Sequence, residues 1–121
     1  MKPESKFWKE VKKNTPNILW TRLESWISFG VPDLLGYHES CAFFMCELKI
    51  KHGPKILLSP HQILFHTTRT KRNFILVKDH ASRSVKLYPS SAVTGSGDVL
   101  EDSCLCTDDW LKLELCLLGR L

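Results

Sequence analysis

The chain has 121 residues, of which 43% are hydrophobic and 25% are charged. This length suits a single domain with one core, and the composition excludes an intrinsically disordered chain. Residues 1–93 carry 15 Lys and Arg against 7 Asp and Glu, a balance of +8, whereas residues 94–121 carry −4. The basic body favours a polyanionic partner, nucleic acid first, although a basic surface that serves only solubility fits the charge equally well.

The cysteines and the start of the chain indicate a cytoplasmic protein. The charged segment Met1–Lys13 is not a signal peptide, and an odd number of cysteines favours free thiols. Cys104 and Cys106 form a lone C-x-C pair, and because a tetrahedral zinc site needs four ligands, zinc is not expected. No apolar run approaches the ~18 residues of a membrane span, so no membrane association is predicted.

The first half of the chain predicts a helix followed by three strands. Ser5–Lys13 places its apolar residues on one side, as a short amphipathic helix does. Ile18–Ser25 alternates apolar and polar residues, which is typical of a half-exposed strand. Leu34–Tyr37 and Ala42–Ile50 predict a hairpin that turns at residues 38–40.

A helix start is well marked at residues 59–62. Ser59 can cap the helix, Pro60 suits its first position, and Gln62 completes a capping box, so a helix is predicted from here to about Thr70. Two strands are predicted after it, at Phe74–Lys78 and Ser84–Tyr88.

The composition changes after Pro89. Residues 90–97 are rich in Ser and Gly and predict a flexible connection, and Asp108–Leu118 predicts a last helix. The predicted division is a domain at 1–93 and an acidic linker and helix at 94–121. The apolar residues of this helix cover more than one face, which favours a dimerisation element, with packing on its own core as the alternative.

Three charged residues lie within hydrophobic runs and predict a site. In a strand, residues two apart share a face, so Glu47 and Lys49 project together. The hairpin brings Asp33, at the start of the preceding strand, towards them. Two carboxylates suit Mg²⁺ or Mn²⁺, and an amine beside them can orient water or neutralise charge on a phosphoryl group. The alternative is a structural ion pair between Glu47 and Lys49 on a solvated face.

The segments GVPDLLG and FFMCELK (residues 30–36 and 43–49) resemble the motifs of the PD-(D/E)xK nuclease superfamily, with Asp33, Glu47 and Lys49 in the motif positions. Together with LSPHQ (residues 58–62), they are similar to small VRR-NUC-type and phage Holliday-junction-resolvase-like nucleases. The resemblance covers about residues 5–90. It implies an α/β, restriction-endonuclease-like fold in the order α-β-β-β-α-β-β, with a mixed central sheet of about five strands and a C-terminal helix.

The resemblance also implies the roles of further residues. The carbonyl of Leu48 would join Asp33 and Glu47 as a metal ligand. Gln62 would lie near the metal-bound water, although the capping box explains it without catalysis. Either Glu10, on the first helix, or Glu24, on the first strand, would complete the metal site, the alternatives being a solvated helix residue and a salt bridge with Arg22.

The function predicted from these features is a Mg²⁺- or Mn²⁺-dependent endodeoxyribonuclease without an organic cofactor. Its substrate would be branched DNA such as a Holliday junction, whose two-fold symmetry predicts a homodimer. A nicking, flap or single-strand nuclease of phage replication and a non-catalytic nucleic-acid-binding module are the alternatives.

Seven basic residues and histidines are expected around the site as phosphate contacts. For the histidines of the second helix, His61 and His66, a packed or exposed position is favoured over a general base. The expected DNA contacts are Lys51, His52, Lys55, His61, Arg69, Lys71 and Arg72.

Overall fold

The computed structural model of the chain describes residues 2–23 and 30–120. Its helices are α1 (Pro3–Asn14), α2 (Pro60–Thr68) and α3 (Trp110–Leu117), with short 3₁₀ turns at Ser90–Ala92 and Glu101–Ser103. Its strands are β1 (Leu19–Arg22), β2 (Leu34–His38), β3 (Ala42–Lys51), β4 (Asn73–Asp79), β5 (Val85–Pro89) and β6 (Cys106–Thr107). None of the helices in these two ranges is long and apolar enough to cross a membrane.

The six strands form one mixed sheet in chain order. Neighbouring strands are antiparallel except β3 and β4, which are parallel. Parallel neighbours cannot be joined by a tight turn, so α2 lies in the crossover between them. The predicted mixed α/β fold is confirmed, and β6 is a strand that the sequence did not predict.

The two faces of the sheet are covered by different helices. On one face, alternate residues of β3 (Phe44, Cys46 and Leu48) pack in a buried cluster with Phe7 of α1 and Leu113 of α3. On the other face, Ile75 and Val77 of β4 pack with Tyr88 and with Ile63 of α2. Because successive side chains of a strand alternate, Glu47 points away from the first cluster and towards the α2 side.

Helix α1 begins at Pro3, two residues earlier than predicted. Proline suits the first helical position, since its missing N–H would have no partner there and its φ is already helical. The earlier start places Glu4 in the first turn of the helix.

The segment after Pro89 is ordered, so the expected flexible connection at residues 90–97 is wrong. Ser90, Ala92 and Val93 are buried, and Val93 pairs with Val99 in an isolated bridge. The glycine at the tip of this turn, Gly97, has a φ of +93°, a conformation that glycine adopts without strain. The Ser and Gly residues therefore mark tight turns here.

The apolar side of α3 packs on the core of its own chain. Leu113, Leu117 and Leu118 lie in the same buried cluster as Phe7. Buried Glu114 accepts a hydrogen bond from the backbone N–H of Asn17 at 2.8 Å. This packing is the alternative that the sequence left open for α3, and its role in a dimer stays a prediction.

Candidate active site

The hairpin of β2 and β3 is extended at one end by a side chain. The last pair of its ladder is Leu34 with Cys46, so β3 continues past the start of β2. Asp33 takes over at that point, because its Oδ2 accepts the backbone N–H of Leu48 at 2.9 Å. A carboxylate thus satisfies a strand amide that β2 no longer reaches, and it is held beside Glu47.

One cavity of about 740 Å³ is lined by five predicted site residues, which belong to the two motifs and the capping box. These residues are Asp33, Glu47, Leu48, Lys49 and Gln62. They come from the loop before β2, from β3 and from the first turn of α2. The hairpin and the α2 crossover therefore bring together groups that are up to 29 positions apart in the sequence.

The two carboxyl groups share a hydrogen bond in a poorly solvated place. Glu47 is only 2% exposed. Burial, the hydrogen bond to Glu47 and its negative charge together raise the pKa of Asp33 to about 8. Burial also raises the pKa of Glu47, against the lowering effect of Asp33 and Lys49. A cation bound between the two groups would remove their repulsion.

Gln62 lies in the cavity and also caps its helix. Its side-chain oxygen accepts the Ser59 N–H at 2.9 Å, and Ser59 Oγ accepts the Gln62 N–H at 3.2 Å. The capping box is therefore present as predicted, and it fixes the Gln62 side chain at the cavity wall. With its oxygen engaged, the NH₂ group of Gln62 is left for other partners.

Gly30 sets how closely the loop before β2 approaches α2. Its φ is +81°, and a Cβ at this position would lie 2.3 Å from the backbone oxygen of His61. Only glycine combines this backbone conformation with so close an approach. The loop that leads to Asp33 is thereby packed on the turn of helix that carries Gln62.

Glu4 is a cavity residue that the predicted helix, which begins at Ser5, leaves out. It lines the cavity, and partial burial together with the negative charge of Asp33 raises its pKa. It was missed because the predicted helix began at Ser5, and Pro3 was the signal that could have extended the helix.

Of the two glutamates proposed from the resemblance, the structure describes Glu10, which lies away from the cavity. Glu10 Oε1 is 2.5 Å from Lys78 Nζ, and neither residue lines the cavity. Glu4, six residues earlier on the same helix, is the α1 carboxylate near Asp33. Glu24 lies outside the described residues.

The predicted phosphate contacts are spread over four places. His52 lines the cavity, and Lys51 and Lys55 line a neighbouring depression. His61 is at the exposed start of α2. The remaining three residues line another depression beside the amino-terminal ends of β3 and β4, so the expectation that they surround the carboxylates is wrong. They are Arg69, Lys71 and Arg72.

Arg72 bonds to the carboxyl end of α3 and has a structural role there. Its Nη2 donates to the Leu117 carbonyl at 2.7 Å, and its guanidinium lies over the rings of Phe44 and Phe74. A cation at the carboxyl end of α3 satisfies a carbonyl that the helix itself cannot.

The donor set fits a hard divalent cation with an incomplete protein shell. Asp33 and Glu47 supply carboxylate oxygens to one cavity, and burial raises the pKa of both groups. Within residues 2–23 and 30–120, no three His, Cys, Asp or Glu side chains are arranged to hold a metal by themselves. Mg²⁺ commonly binds through one or two carboxylates and takes its other ligands from water and phosphate.

A comparison with solved structures finds the same fold in Hjc, a Holliday junction resolvase from the archaeal hyperthermophile Archaeoglobus fulgidus. The TM-score is 0.53, the sequences are 16% identical, and the match covers 88% of this chain and 83% of that one. The chain has a resolvase-like fold. The predicted restriction-endonuclease-like architecture is therefore confirmed, and at this identity the likeness shows the fold alone. No protein-family model matches the chain, and no curated protein is significantly similar to it.

Proposed function

We propose that the chain is a metal-dependent nuclease that hydrolyses phosphodiester bonds in DNA. The observation that carries this proposal is the hydrogen-bonded pair of Asp33 and Glu47, which lies with Lys49 in one cavity of a resolvase-like fold. A structural ion pair would not require two carboxylates to share a poorly solvated place. A cation bound between them gives the pair a function and removes their repulsion.

In this mechanism Asp33, Glu47 and the carbonyl of Leu48 would hold Mg²⁺ or Mn²⁺, and Glu4 would add negative charge to the cavity from α1. The bound cation would supply Lewis-acid activation of the scissile phosphate and of the attacking water. The buried position of Glu47 would keep one ligand fixed, while Glu4, in the first turn of α1, could adjust to the substrate.

Lys49 and Gln62 act on the reacting groups. Lys49 is two residues after Glu47 on β3. Its positive charge partly offsets the rise in the pKa of the three nearby carboxyl groups, Asp33, Glu47 and Glu4. It is thus close enough to neutralise charge that develops on the phosphoryl oxygens during in-line attack by water. The NH₂ group of Gln62 donates to the water or to a phosphate oxygen.

The surroundings of the cavity favour an anionic substrate. Pro3 at the start of α1 and Ser59 at the start of α2 both line it, so two helix amino termini are at the same cavity. Lys2 and His52 also line it. These groups would hold the phosphates that flank the scissile bond, and contacts of this kind carry no sequence preference.

We infer branched DNA, such as a Holliday junction, as the substrate, because the fold is that of a resolvase. A junction has two equivalent strands to cut, so the proposal includes a homodimer with two active sites. A nuclease that prefers nicks, flaps or single strands would use the same cavity.

Cleavage assays test the proposal. Purified protein is incubated with labelled linear, flap and four-way DNA in Mg²⁺, Mn²⁺ or EDTA, beside Glu47→Gln and Lys49→Ala. We expect paired cuts in the four-way substrate that require a divalent cation and are lost in both variants. Cleavage that survives EDTA or both substitutions would overturn the mechanism. A folded wild type that binds DNA and cuts none would favour a non-catalytic binding module.

A further inference from the structure

A buried polar cluster lies directly behind Glu47. His66, near the end of α2, is fully buried, and it contacts Ser90 of the 3₁₀ turn and Asn73 at the start of β4. Its Nε2 is 3.9 Å from Glu47 Oε1. Residues of three other elements therefore converge on one imidazole of α2, although the apolar packing of α2 alone would not require a histidine there.

The contacts of Asn73 fix which ring nitrogen of His66 carries the proton. Asn73 Nδ2 donates to the carbonyl of Arg69 at 3.1 Å, which establishes the orientation of this amide. The same Nδ2 lies 3.3 Å from His66 Nδ1 and can only donate to it. This contact assigns Nδ1 as the acceptor, and with Nδ1 unprotonated the Ser90 hydroxyl, 2.6 Å away, is the donor of the shorter bond. In a neutral imidazole the proton must then be on Nε2.

Two unsatisfied atoms face each other on the other side of the ring. Among the described residues, Glu47 Oε1 and His66 Nε2 are both buried without a hydrogen-bond partner. One is an acceptor and the other, in this tautomer, a donor, and buried groups of this kind are normally paired. Burial, together with the charge of Lys49, lowers the pKa of His66 to about 4, which is consistent with a neutral ring.

We propose that neutral His66 is a positioning residue that donates its Nε2 proton to Glu47 Oε1 and so directs the other carboxylate oxygen towards Asp33 and a bound cation. The separation of 3.9 Å lies beyond hydrogen-bond distance, and a small rotation of the Glu47 carboxylate would close it. Ser90 and Asn73 hold the ring in the required orientation. The metal part of this inference rests on the proposed nuclease function.

The first test is nuclear magnetic resonance of the metal-free protein. Long-range ¹H–¹⁵N spectra distinguish a protonated ring nitrogen from an unprotonated one, and His66→Phe assigns the signals by their loss. We expect His66 to carry its proton on Nε2. A proton on Nδ1 overturns the proposal. Because no metal is present, this result is independent of whether the protein is a nuclease.

The second test is Mn²⁺ affinity without DNA, measured by titration calorimetry. Loss of an outer hydrogen-bond donor typically weakens metal binding by roughly 10- to 100-fold, and we expect His66→Phe to fall in this range. His66→Gln retains a donor group and should recover part of the affinity. Equal affinity of the wild type and both variants overturns the positioning role, as does equal weakening in both.

Controls separate positioning from folding. His38→Phe makes the same substitution in the β2–β3 turn, where the imidazole bonds to Ser40, and it should leave the Mn²⁺ affinity unchanged. Thermal unfolding establishes that each variant is folded. If His66→Phe does not fold, the His66→Gln titration and the wild-type spectra decide whether His66 positions Glu47. A wild type that binds no Mn²⁺ overturns the nuclease proposal, whereas the ring tautomer still supports or overturns the assignment of His66.

Discussion

Asp33 Oδ2 accepts the backbone N–H of Leu48 at 2.9 Å, and this bond ties the start of β2 to the strand that carries Glu47 and Lys49. One carboxylate thus has two roles. It completes the hydrogen bonding of β3 beyond the first residue of β2, and it supplies one of the two carboxyl groups in the cavity. The two roles can be separated by substitution.

Asp33→Asn should keep the fold and abolish cleavage. Asn retains an oxygen for the Leu48 amide and a donor for Glu47, but it removes the charge that binds a cation. We expect cleavage to fall roughly 1,000-fold, since metal activation contributes several kcal/mol to such reactions. Asp33→Ala also leaves the amide unpaired and should lower the free energy of unfolding by about 1–3 kcal/mol. Denaturant unfolding and cleavage assays measure both, and equal stability of the two variants would contradict the structural role.

The contribution of Asp33 to the stability of the metal-free protein should fall as the pH rises. The ordinary pKa of Asp33 is 3.8, and in the folded protein it is about 8. Between these values the native state holds a proton that the unfolded state has lost, so the contribution is complete below pH 4 and is lost as the pH rises through 8. Unfolding temperatures in EDTA at pH 5 and pH 8.5 measure this effect.

Asp33→Asn provides the control for this pH dependence. It cannot titrate, so we expect its stability to fall less than that of the wild type between the two pH values. Mn²⁺ should stabilise the wild type more at pH 8.5 than at pH 5, because binding displaces the shared proton. Parallel pH profiles of wild type and variant would contradict the raised pKa.

Glu4 and Glu10 form a matched pair on α1. Glu4→Gln should weaken Mn²⁺ binding and slow cleavage, roughly tenfold or more, because Glu4 lines the cavity and senses Asp33. Glu10→Gln should leave both unchanged and lower the free energy of unfolding by only ~0.2–1 kcal/mol, since its partner Lys78 is partly exposed. Calorimetry measures the Mn²⁺ affinity and kinetic assays measure cleavage. If Glu10→Gln weakens both and Glu4→Gln neither, Glu10 is the residue that supports the metal.

The sequence predicts the centre of the site well because local rules determine it. The period of two places Glu47 and Lys49 together, and a hairpin with a short turn leaves little freedom for Asp33. The capping box at Ser59 and Gln62 is likewise a local pattern. These features depend on spacing within one or two adjacent elements.

What the sequence could not predict depends on packing between distant elements. Arg72 is in a basic run that indicates phosphate contacts, but its partner, the Leu117 carbonyl, lies 45 residues away. The Ser and Gly residues after Pro89 indicate a linker, and only the packing of Val93 in the second core shows a fixed turn. The importance of His66 likewise depends on Ser90, 24 positions later.

Gly30→Ala should disturb the cavity indirectly, because the added Cβ would push the loop before Asp33 away from α2. The new Cβ would meet the His61 carbonyl at 2.3 Å, and the φ of +81° is unfavourable for alanine. We expect a loss of about 1–3 kcal/mol in unfolding free energy and a cleavage defect, because the loop before Asp33 must move away from α2. Gly53→Ala, where a Cβ meets nothing within 4 Å, is the control. Equal stability of the two variants would contradict the close packing.

Arg72 should support the stability of the fold, whereas Lys71 should support the affinity for DNA. Arg72→Gln loses the bond that satisfies the Leu117 carbonyl at the end of α3 and should lower the free energy of unfolding by about 1–3 kcal/mol. Exposed Lys71, if it contacts phosphate, contributes to affinity alone, so Lys71→Gln should leave stability unchanged and reduce the salt dependence of DNA binding by about one unit of slope. Thermal unfolding and binding titrations at several salt concentrations measure both. If Arg72→Gln unfolds like the wild type while weakening DNA binding, its contact with α3 is incidental and the sequence-based assignment to phosphate is the better one.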